Sequence, residues 1–120
     1  MDLKLFDPKK YLKAIEVSQL SDFINSLSDG DKTPLGEKGT KISGGQKQRI
    51  GIARSIYKEP SILIFDESTN ALDKNSEDQI FEKIAKIKKD KIMIIISHND
   101  NILKFCDIIY NIQNKKIVQK

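Results

Sequence analysis

The chain has very little cysteine and no long hydrophobic run. Its only cysteine is Cys106, so no disulfide can form within the chain, and the disulfide frameworks of small secreted domains are excluded. The longest apolar runs are Ile62–Phe65 and Ile92–Ile96, far short of the roughly 20 residues that a membrane helix needs. No secretory signal pattern is visible at Met1–Phe6. These absences predict a cytosolic setting.

Tryptophan is absent too, and aromatic residues make up only 7% of the chain, while charged residues make up 32%. The net charge is +4, but the lysines are scattered and do not form the aromatic and basic stripe that stacks bases. We therefore expect a solvated, lysine-rich surface and no nucleic-acid partner. A length of 120 residues suits one modest domain with a single core.

The first forty residues predict two helices followed by a loop. Asp7-Pro8 is typical of a helix N-cap and its first-turn proline. A second helix is indicated by apolar residues at the spacing of one buried stripe, namely Leu20, Phe23, Ile24 and Leu27. From Ser28 to Thr40 the composition changes to Gly, Asp, Lys, Thr and Pro, which predicts a loop and the only plausible internal boundary.

The remaining residues alternate between helix and strand patterns. Ser43 with Gln46 three residues later forms a capping-box pattern, and Glu59-Pro60 ends the helix that follows. Another helix opens at Asp73 or Asn75. Strands are predicted at Ser61–Asp66, Lys91–Ser97 and Asp107–Ile112, and a short helix is predicted at Asn99–Phe105.

This alternation predicts an α/β layered fold with right-handed crossovers and a mostly parallel sheet with flanking helices. The unbroken apolar character of Ile62–Phe65 and Ile92–Ile96 suggests strands that are covered on both faces. The tail, Lys116–Gln119, is expected to pair back as a hairpin around Asn114-Lys115, because Asn tolerates the left-handed conformation of such a turn.

Polar side chains follow two of the predicted strands. Ligands of open α/β sheets collect beyond the carboxyl ends of the strands. Asp66 and Glu67 lie at the end of the first strand, and Ser97-His98 follows the next. One carboxylate is suited to a hydrated Mg²⁺ and the other to orienting or deprotonating a water. The alternatives are a solvated turn and a surface histidine.

The stretch KISGGQKQR places two glycines behind Ser43 at the start of a helix. A helix N-terminus carries a partial positive charge and unpaired N–H groups, and Gly44 and Gly45 have no side chains to keep a phosphate away. The Ser43 hydroxyl can add a further donor. The alternative is an ordinary capped helix whose glycines serve only its turn.

These motifs occur together, in order and at close spacing: ISGGQ, a strand ending in Asp66-Glu67, then Asn70–Asp73, then Ser97-His98. From about Asp7 to its end, the chain resembles the carboxyl-terminal half of the nucleotide-binding domain of an ABC (ATP-binding cassette) transporter. The resemblance implies a partial P-loop NTPase-like layered fold with part of the helical signature subdomain. It also implies ATP and Mg²⁺ as cofactors.

By this resemblance, Ile42–Gln46 corresponds to the signature motif, in which Ile42 replaces the usual Leu. Ser61–Asp66 is similar to the Walker B strand, and Asn70–Asp73 to the D-loop. The roles implied for single residues are that Asp66 positions Mg²⁺, that Glu67 polarises the attacking water, that His98 contacts the γ-phosphate and that Asp73 helps to transmit closure between cassettes.

The resemblance also implies partners. Family members pair two cassettes head to tail, so that Ser43, Gly44, Gly45 and Gln46 would clamp a nucleotide held by the second cassette. Thr33–Gly39 is similar to the loop that touches the coupling helices of the membrane domain in exporter-type members. The implied function is ATP hydrolysis coupled to export, at the cytoplasmic face of a membrane.

The implied division is residues 1–40, as part of the helical subdomain and coupling loop, and residues 41–120, as the signature helix and carboxyl-terminal α/β lobe. Together they would make one incomplete domain. No Walker A motif is present, because none of the six glycines is followed by lysine. We expect this chain alone to bind ATP weakly and to be inactive. Two alternatives stay open: a non-catalytic module that donates its signature face, and a cassette ATPase of the DNA-repair and chromosome-maintenance class.

Overall fold

A computed structural model describes residues 5–120, so Met1–Lys4, the first four residues of the predicted 1–40 unit, lie outside the described residues. The helices and strands follow one another as α1 (Pro8–Val17), α2 (Ser21–Ser26), a 3₁₀ helix (Gly30–Lys32), α3 (Gly44–Tyr57), β1 (Ile62–Asp66), α4 (Lys74–Lys86), β2 (Ile92–Ile96), a further 3₁₀ helix (Asp100–Phe105), β3 (Tyr110–Gln113) and β4 (Lys116–Gln119). No helix among residues 5–120 is both long and apolar enough to cross a lipid bilayer.

The starts of three helices lie where the capping residues predicted them. The Asp7 carboxylate accepts hydrogen bonds from the first-turn amides of α1. Ser43 and Gln46 form the predicted capping box at the start of α3. Of the two possible starts for α4, the structure uses Asp73, whose carboxylate accepts from the Ser76 amide at 2.9 Å. A side-chain acceptor at the N-cap satisfies an otherwise unpaired amide, which is why these residues fix the helix starts.

Strands β1 and β2 pair in parallel and in register, from Ile62 opposite Ile92 to Asp66 opposite Ile96. Both strands therefore end at the same level. The residues that follow them, from Glu67 and from Ser97 onward, emerge at one edge of the sheet, as the fold class requires.

Only one face of this two-stranded sheet is covered in the described part of the chain. Leu63 and Phe65 are buried in the core, whereas Ile64 is 62% exposed and Ile94 is 46% exposed. The prediction that both strands are covered on both faces is therefore wrong. The apolar run reflects the chemistry of the strand, but burial depends on what packs against each face, and α4 and its neighbours pack against one face only.

The predicted third strand begins later than expected, at Tyr110 rather than Asp107, and it does not pair with β2. It pairs instead with β4 in a separate antiparallel hairpin. The central turn residues, Asn114 and Lys115, have φ values of 49° and 62°. Positive φ at both positions is the geometry of a type I′ hairpin turn, so the predicted tail hairpin is confirmed.

The core links the sheet to the helices through aromatic contacts. The rings of Phe65 on β1 and Phe81 on α4 meet edge to face with centroids 6.0 Å apart, and Phe81 stacks on Phe105 at 6.2 Å. Other buried members come from α1, α3, α4, β1, the second 3₁₀ helix and the link between α1 and α2: Ala14, Val17, Leu20, Ile52, Ala53, Ile56, Leu63, Ile80, Ile84 and Ile102. One continuous core thus fixes the signature helix α3 and the strand ends relative to each other, and the predicted α/β layered fold is confirmed.

Candidate functional site

The ends of β1 and β2 bring an acid and an imidazole together. Glu67 follows β1 directly, and His98 lies two residues after β2. The Oε1 atom of Glu67 is 3.1 Å from Nε2 of His98. The two side chains that the sequence predicted to share this edge are therefore in contact. An acid and an imidazole at such an edge can each form a hydrogen bond to a water or to a phosphoryl oxygen.

The backbone of Glu67 is held in an unfavourable conformation. Its φ is 46°, in the left-handed region that residues with a Cβ rarely adopt. Its N–H donates to the carbonyl of Ile96 at 2.9 Å, and its carbonyl accepts from the Asn70 amide at 3.3 Å. These bonds fix the chain reversal directly after β1. Such strain is found at active sites, where the surrounding structure imposes it.

Asp66 is the last residue of β1 and is exposed at the same edge. Mg²⁺ in nucleotide sites is usually held by one or two carboxylates, with waters and substrate phosphates supplying the other oxygens. No cluster of three or more His, Cys, Asp or Glu side chains suited to a metal occurs within residues 5–120. The role of Asp66 as a single carboxylate ligand for Mg²⁺ stays a prediction.

A cavity of about 330 Å³ opens beside this pair, lined by Glu67, Thr69, Asn70, Leu72, Glu77, Ser97, His98 and Asn99. Three of these residues, Thr69, Glu77 and Asn99, lie outside the motifs that the sequence indicated. Glu77 is buried, and it accepts a hydrogen bond from the Thr69 hydroxyl at 2.6 Å and another from the Asn99 amide.

The amino terminus of α3 presents free backbone donors. In the capping box, the Ser43 amide donates to Oε1 of Gln46 at 2.8 Å, and the Gln46 amide donates to Oγ of Ser43 at 3.1 Å. A helix leaves its first N–H groups without intrahelical acceptors. Within the described chain, the amides of Gly44 and Gly45 have no acceptor, so they are the two donors available to an anion.

Close packing against the Asn70–Asp73 segment explains the glycine at position 45. A Cβ on Gly45 would lie 3.2 Å from the carbonyl oxygen of Ala71 and 3.3 Å from Cδ2 of Leu72. Gln48 reinforces this contact, because its Oε1 accepts from the Ala71 amide at 2.9 Å and its Nε2 donates to Asn70. The start of α3 and this segment therefore form one packed unit.

Asp73 is occupied as the N-cap of α4. The hydrogen bond from the Ser76 side chain, and then that from the Ser76 amide, lowers the pKa of Asp73, with a smaller contribution from the charge of Arg49. Nη2 of Arg49 donates to the Ser76 hydroxyl at 2.8 Å, which links α3 to the start of α4. In this structure Asp73 therefore acts as a helix cap.

Two groups of predicted site residues do not meet in the described chain. Ser43–Gln46 makes no hydrogen bond to Glu67 or His98. Leu72 lies between the groups, because it lines the cavity and also packs at Gly45. The chain thus carries two separate half-sites, an acid–imidazole edge and a helix N-terminus.

The Thr33–Gly39 loop is compact. Leu35 forms an isolated parallel bridge with Thr40, and the Thr40 amide donates to the Pro34 carbonyl at 2.9 Å. A Cβ on Gly39 would lie 2.2 Å from the Pro34 oxygen, so only glycine fits. Gly36 has φ 95°, which also favours glycine. The loop therefore presents a defined surface.

A comparison with known protein families gives a match to the family described as ABC transporter over residues 4–70, more than half of the 120 residues. The chain belongs to the ABC transporter family. Members of this family generally bind and hydrolyse ATP. The resemblance that the motifs indicated is thereby confirmed.

Individual relatives include an ABC transporter and an ATP-dependent flippase. The chain is 40% identical over 113 residues to ABC transporter B family member 17 of Arabidopsis thaliana, covering 94% of this chain and 9% of that protein. It is 40% identical over 108 residues to the ATP-dependent lipid A-core flippase of Aliivibrio fischeri, covering 90% and 19% respectively. The chain therefore spans less than a fifth of the length of these relatives.

A comparison with solved structures also finds an ABC protein. The fold is similar to that of a bacterial Atm1-family ABC exporter with ATP bound, with a TM-score of 0.83, 33% identity and coverage of 93% of this chain and 20% of that one. The chain is thus part of an exporter-type nucleotide-binding domain. This result favours the exporter interpretation over the chromosome-maintenance class and over a non-catalytic module.

Proposed function

We propose that this chain supplies the water-activating edge and the signature helix of an ATP-hydrolysing cassette that drives export. The observation that carries the proposal is the 3.1 Å contact between Glu67 and His98 at the common edge of two parallel strands. This edge is where α/β sheets bind ligands.

Each side chain at the edge has a distinct role. The Glu67 carboxylate accepts a hydrogen bond from the attacking water and orients it toward the γ-phosphate. The His98 imidazole, held by Glu67, donates toward a γ-phosphate oxygen. Asp66 would hold Mg²⁺, which neutralises charge that develops on the phosphate oxygens when it is bound. Phosphoryl transfer depends mainly on such positioning and electrostatics.

The second half-site acts on another polypeptide. The amides of Gly44 and Gly45 are free and lie at the positive end of α3. They would close over the γ-phosphate of a nucleotide bound by the partner cassette, with the Ser43 hydroxyl and the Gln46 side-chain amide beside them. Head-to-tail pairing is consistent with the separation of the two half-sites on this chain. Closure would be transmitted through the Asn70–Asp73 segment, which packs on Gly45.

Two further surfaces suit the partners of an exporter cassette. The exposed isoleucines of β1 and β2 form an apolar face, which we define as Ile62, Ile64, Ile92, Ile94 and Ile96. This isoleucine face fits a lobe that carries the Walker A motif, which is absent from these 120 residues. The Thr33–Gly39 loop would contact the membrane domain, which places the cassette at the cytoplasmic face of a membrane.

ATPase measurements test the catalytic role. The purified chain should show no ATPase above background, because it has no phosphate-binding loop. A fusion of the chain behind the Walker A lobe of the Aliivibrio fischeri flippase cassette should hydrolyse ATP. Glu67→Gln should lower the kcat of this fusion by at least about a hundredfold, since it removes the group that orients the water.

The matched control is Glu82→Gln, the same change at an exposed position of α4, which should leave kcat unchanged. Retained turnover in Glu67→Gln would show that Glu67 does not have this role. If instead the fusion stays inactive but the chain stimulates an intact partner cassette, and Glu67→Gln does not alter that stimulation, the chain is a non-catalytic signature donor. The absence of Walker A from its sequence keeps this second candidate in the test.

A further inference from the structure

A buried carboxylate lies behind the acid–imidazole pair and has no part in the mechanism above. Glu77, on the first turn of α4, is only 5% exposed. Within residues 5–120 it makes no salt bridge. Burial of a carboxylate is strongly unfavourable unless hydrogen bonds replace its water. The arrangement around Glu77 therefore requires an explanation.

Both of its oxygens are used, and each takes a proton donor from a different loop. Oε1 accepts from the Thr69 hydroxyl at 2.6 Å, and Oε2 accepts from Nδ2 of Asn99. Thr69 lies two residues after Glu67, and Asn99 follows His98 directly. Hydrogen bonds to an ionised acceptor are short and strong. One carboxylate thus joins the loop that carries the acid to the loop that carries the imidazole.

The amide of Asn99 has a fixed orientation. Its Oδ1 accepts from the backbone N–H of Asn101 at 3.1 Å and from Nδ2 of Asn101 at 2.8 Å. Nδ2 of Asn99 is therefore left to donate to Glu77. The Asn99 backbone amide also donates to Oγ of Ser97 at 2.9 Å, so the turn that bears His98 is bonded on both sides.

We propose that Glu77 is a positioning residue that holds Glu67 and His98 in register by bridging Thr69 and Asn99. The relevance of this bridge to catalysis rests on the proposed function. His98 itself is almost fully exposed and has little packing to locate its ring. The bridge supplies the missing restraint through the backbone of its neighbour, and Glu67 is restrained in the same way from the other loop.

His98 makes a direct test possible because it is the only histidine in the chain. Its ring protons can be observed by NMR without ambiguity, and the NOE from the ring to the γ-methylene of Glu67 reports their distance. In the full chain, Glu77→Gln should weaken this NOE at least about twofold, since an amide offers only one acceptor to the two donors. Glu82→Gln, the same change at an exposed position of the same helix, should leave it unchanged.

Thr69→Val provides a second test that keeps Glu77 and the shape of the side chain at position 69 but removes one of the two hydrogen bonds of the bridge. This variant should weaken the same NOE. If circular dichroism shows that Glu77→Gln does not fold, Thr69→Val is the variant that tests the bridge. Wild-type NOE intensity in a folded Glu77→Gln or Thr69→Val chain would overturn the proposal. No nucleotide is present in this experiment. A failure of the fused cassette to hydrolyse ATP would thus count against the proposed function and not against the bridge.

Discussion

At the scale of single residues, the start of α3 depends on Ser43. Its hydroxyl oxygen accepts from the Gln46 amide, so the first-turn amides without an acceptor in the described chain are those of Gly44 and Gly45. The same hydroxyl can donate to an anion. The Ser43 side chain thus caps α3 and, in the proposed function, also donates to the anion. One variant at this position can therefore be used to measure both effects.

Ser43→Ala should lower the free energy of unfolding by about 1 kcal/mol, because the Gln46 amide loses its acceptor. Urea denaturation of the purified chain measures this change. Ser55→Ala, at an exposed position in the last turn of α3 where the hydroxyl bonds only to the preceding turn, is the control and should change stability by much less. Equal effects of the two variants would show that the capping box contributes nothing.

Asp73 gives stability a defined pH dependence. Its pKa is lowered in the folded chain, chiefly by hydrogen bonds from Ser76. A lowered pKa means that the ionised cap stabilises the fold above the unfolded carboxyl pKa of about 4. This contribution is lost as the pH falls through the folded value.

Asp73→Asn keeps a capping oxygen but cannot titrate. Its unfolding free energy should therefore fall less steeply than that of the wild type as the pH is lowered below about 4. Urea midpoints collected across this pH range test the prediction. Asp100→Asn is the same change at an exposed position whose carboxylate makes no hydrogen bond or ion pair within residues 5–120, and it should retain the wild-type slope. Parallel curves for Asp73→Asn and the wild type would contradict the assignment.

Residues at strand ends could be predicted, and those behind them could not. Asp66, Glu67 and His98 follow recognisable apolar runs, so the sheet topology alone places them at one edge. Glu77 carried one usable indication. It falls on the same helical stripe as Ile80 and Ile84, and an acidic residue at a buried position needs partners. Its partners, Thr69 and Asn99, are set by loop geometry that periodicity does not encode.

At the scale of secondary structure elements, the parallel strands have two unequal faces. Leu63 and Phe65 are buried, while the isoleucine face is open in the described chain. A contiguous exposed apolar patch on a folded protein usually marks an interface. The two faces allow a matched comparison on one strand pair.

The double variant Ile64→Thr, Ile94→Thr should reduce binding of a hydrophobic dye to the chain. Its unfolding free energy should change by less than about 1 kcal/mol, because exposed strand positions accept Thr well. The same pair of substitutions should abolish association with the Walker A lobe.

Leu63→Ala, on the covered face, should instead lower stability by about 2–5 kcal/mol. Undiminished association of the double variant would contradict the assignment of the isoleucine face. Dye fluorescence, urea denaturation and a pull-down with the lobe provide the readouts.

Helix starts were predictable to the residue because a cap is a local interaction, as Asp7 and Ser43 show. The hairpin was predictable for the same reason, since Asn114 accepts a positive φ. The sequence did not predict which faces of β1 and β2 are covered, or which strand pairs with β3. Both depend on which distant surface is present, and the composition of a strand does not specify it.

At the scale of the whole molecule, the proposed function assigns the two half-sites of the chain to different nucleotides. In this proposal the Glu67 and His98 edge would complete a site with a Walker A lobe beside the isoleucine face, whereas the start of α3 would bind the nucleotide of a partner cassette. The Asn70–Asp73 segment, which packs on Gly45 and lines the cavity through Leu72, links the two. The resemblance to ABC transporters implied this division, and the structure adds the packing that joins the two half-sites.

The most direct test of the trans-acting helix end is paramagnetic relaxation. The ¹⁵N-labelled chain is mixed with an intact, hydrolysis-deficient flippase cassette loaded with ATP and Mn²⁺, and Mg²⁺ serves as the diamagnetic reference. We expect Mn²⁺ to broaden the amides of Gly44 and Gly45 far more than that of Gly51, which lies about 10 Å further along α3. Equal broadening of all three glycines, or none, would contradict it.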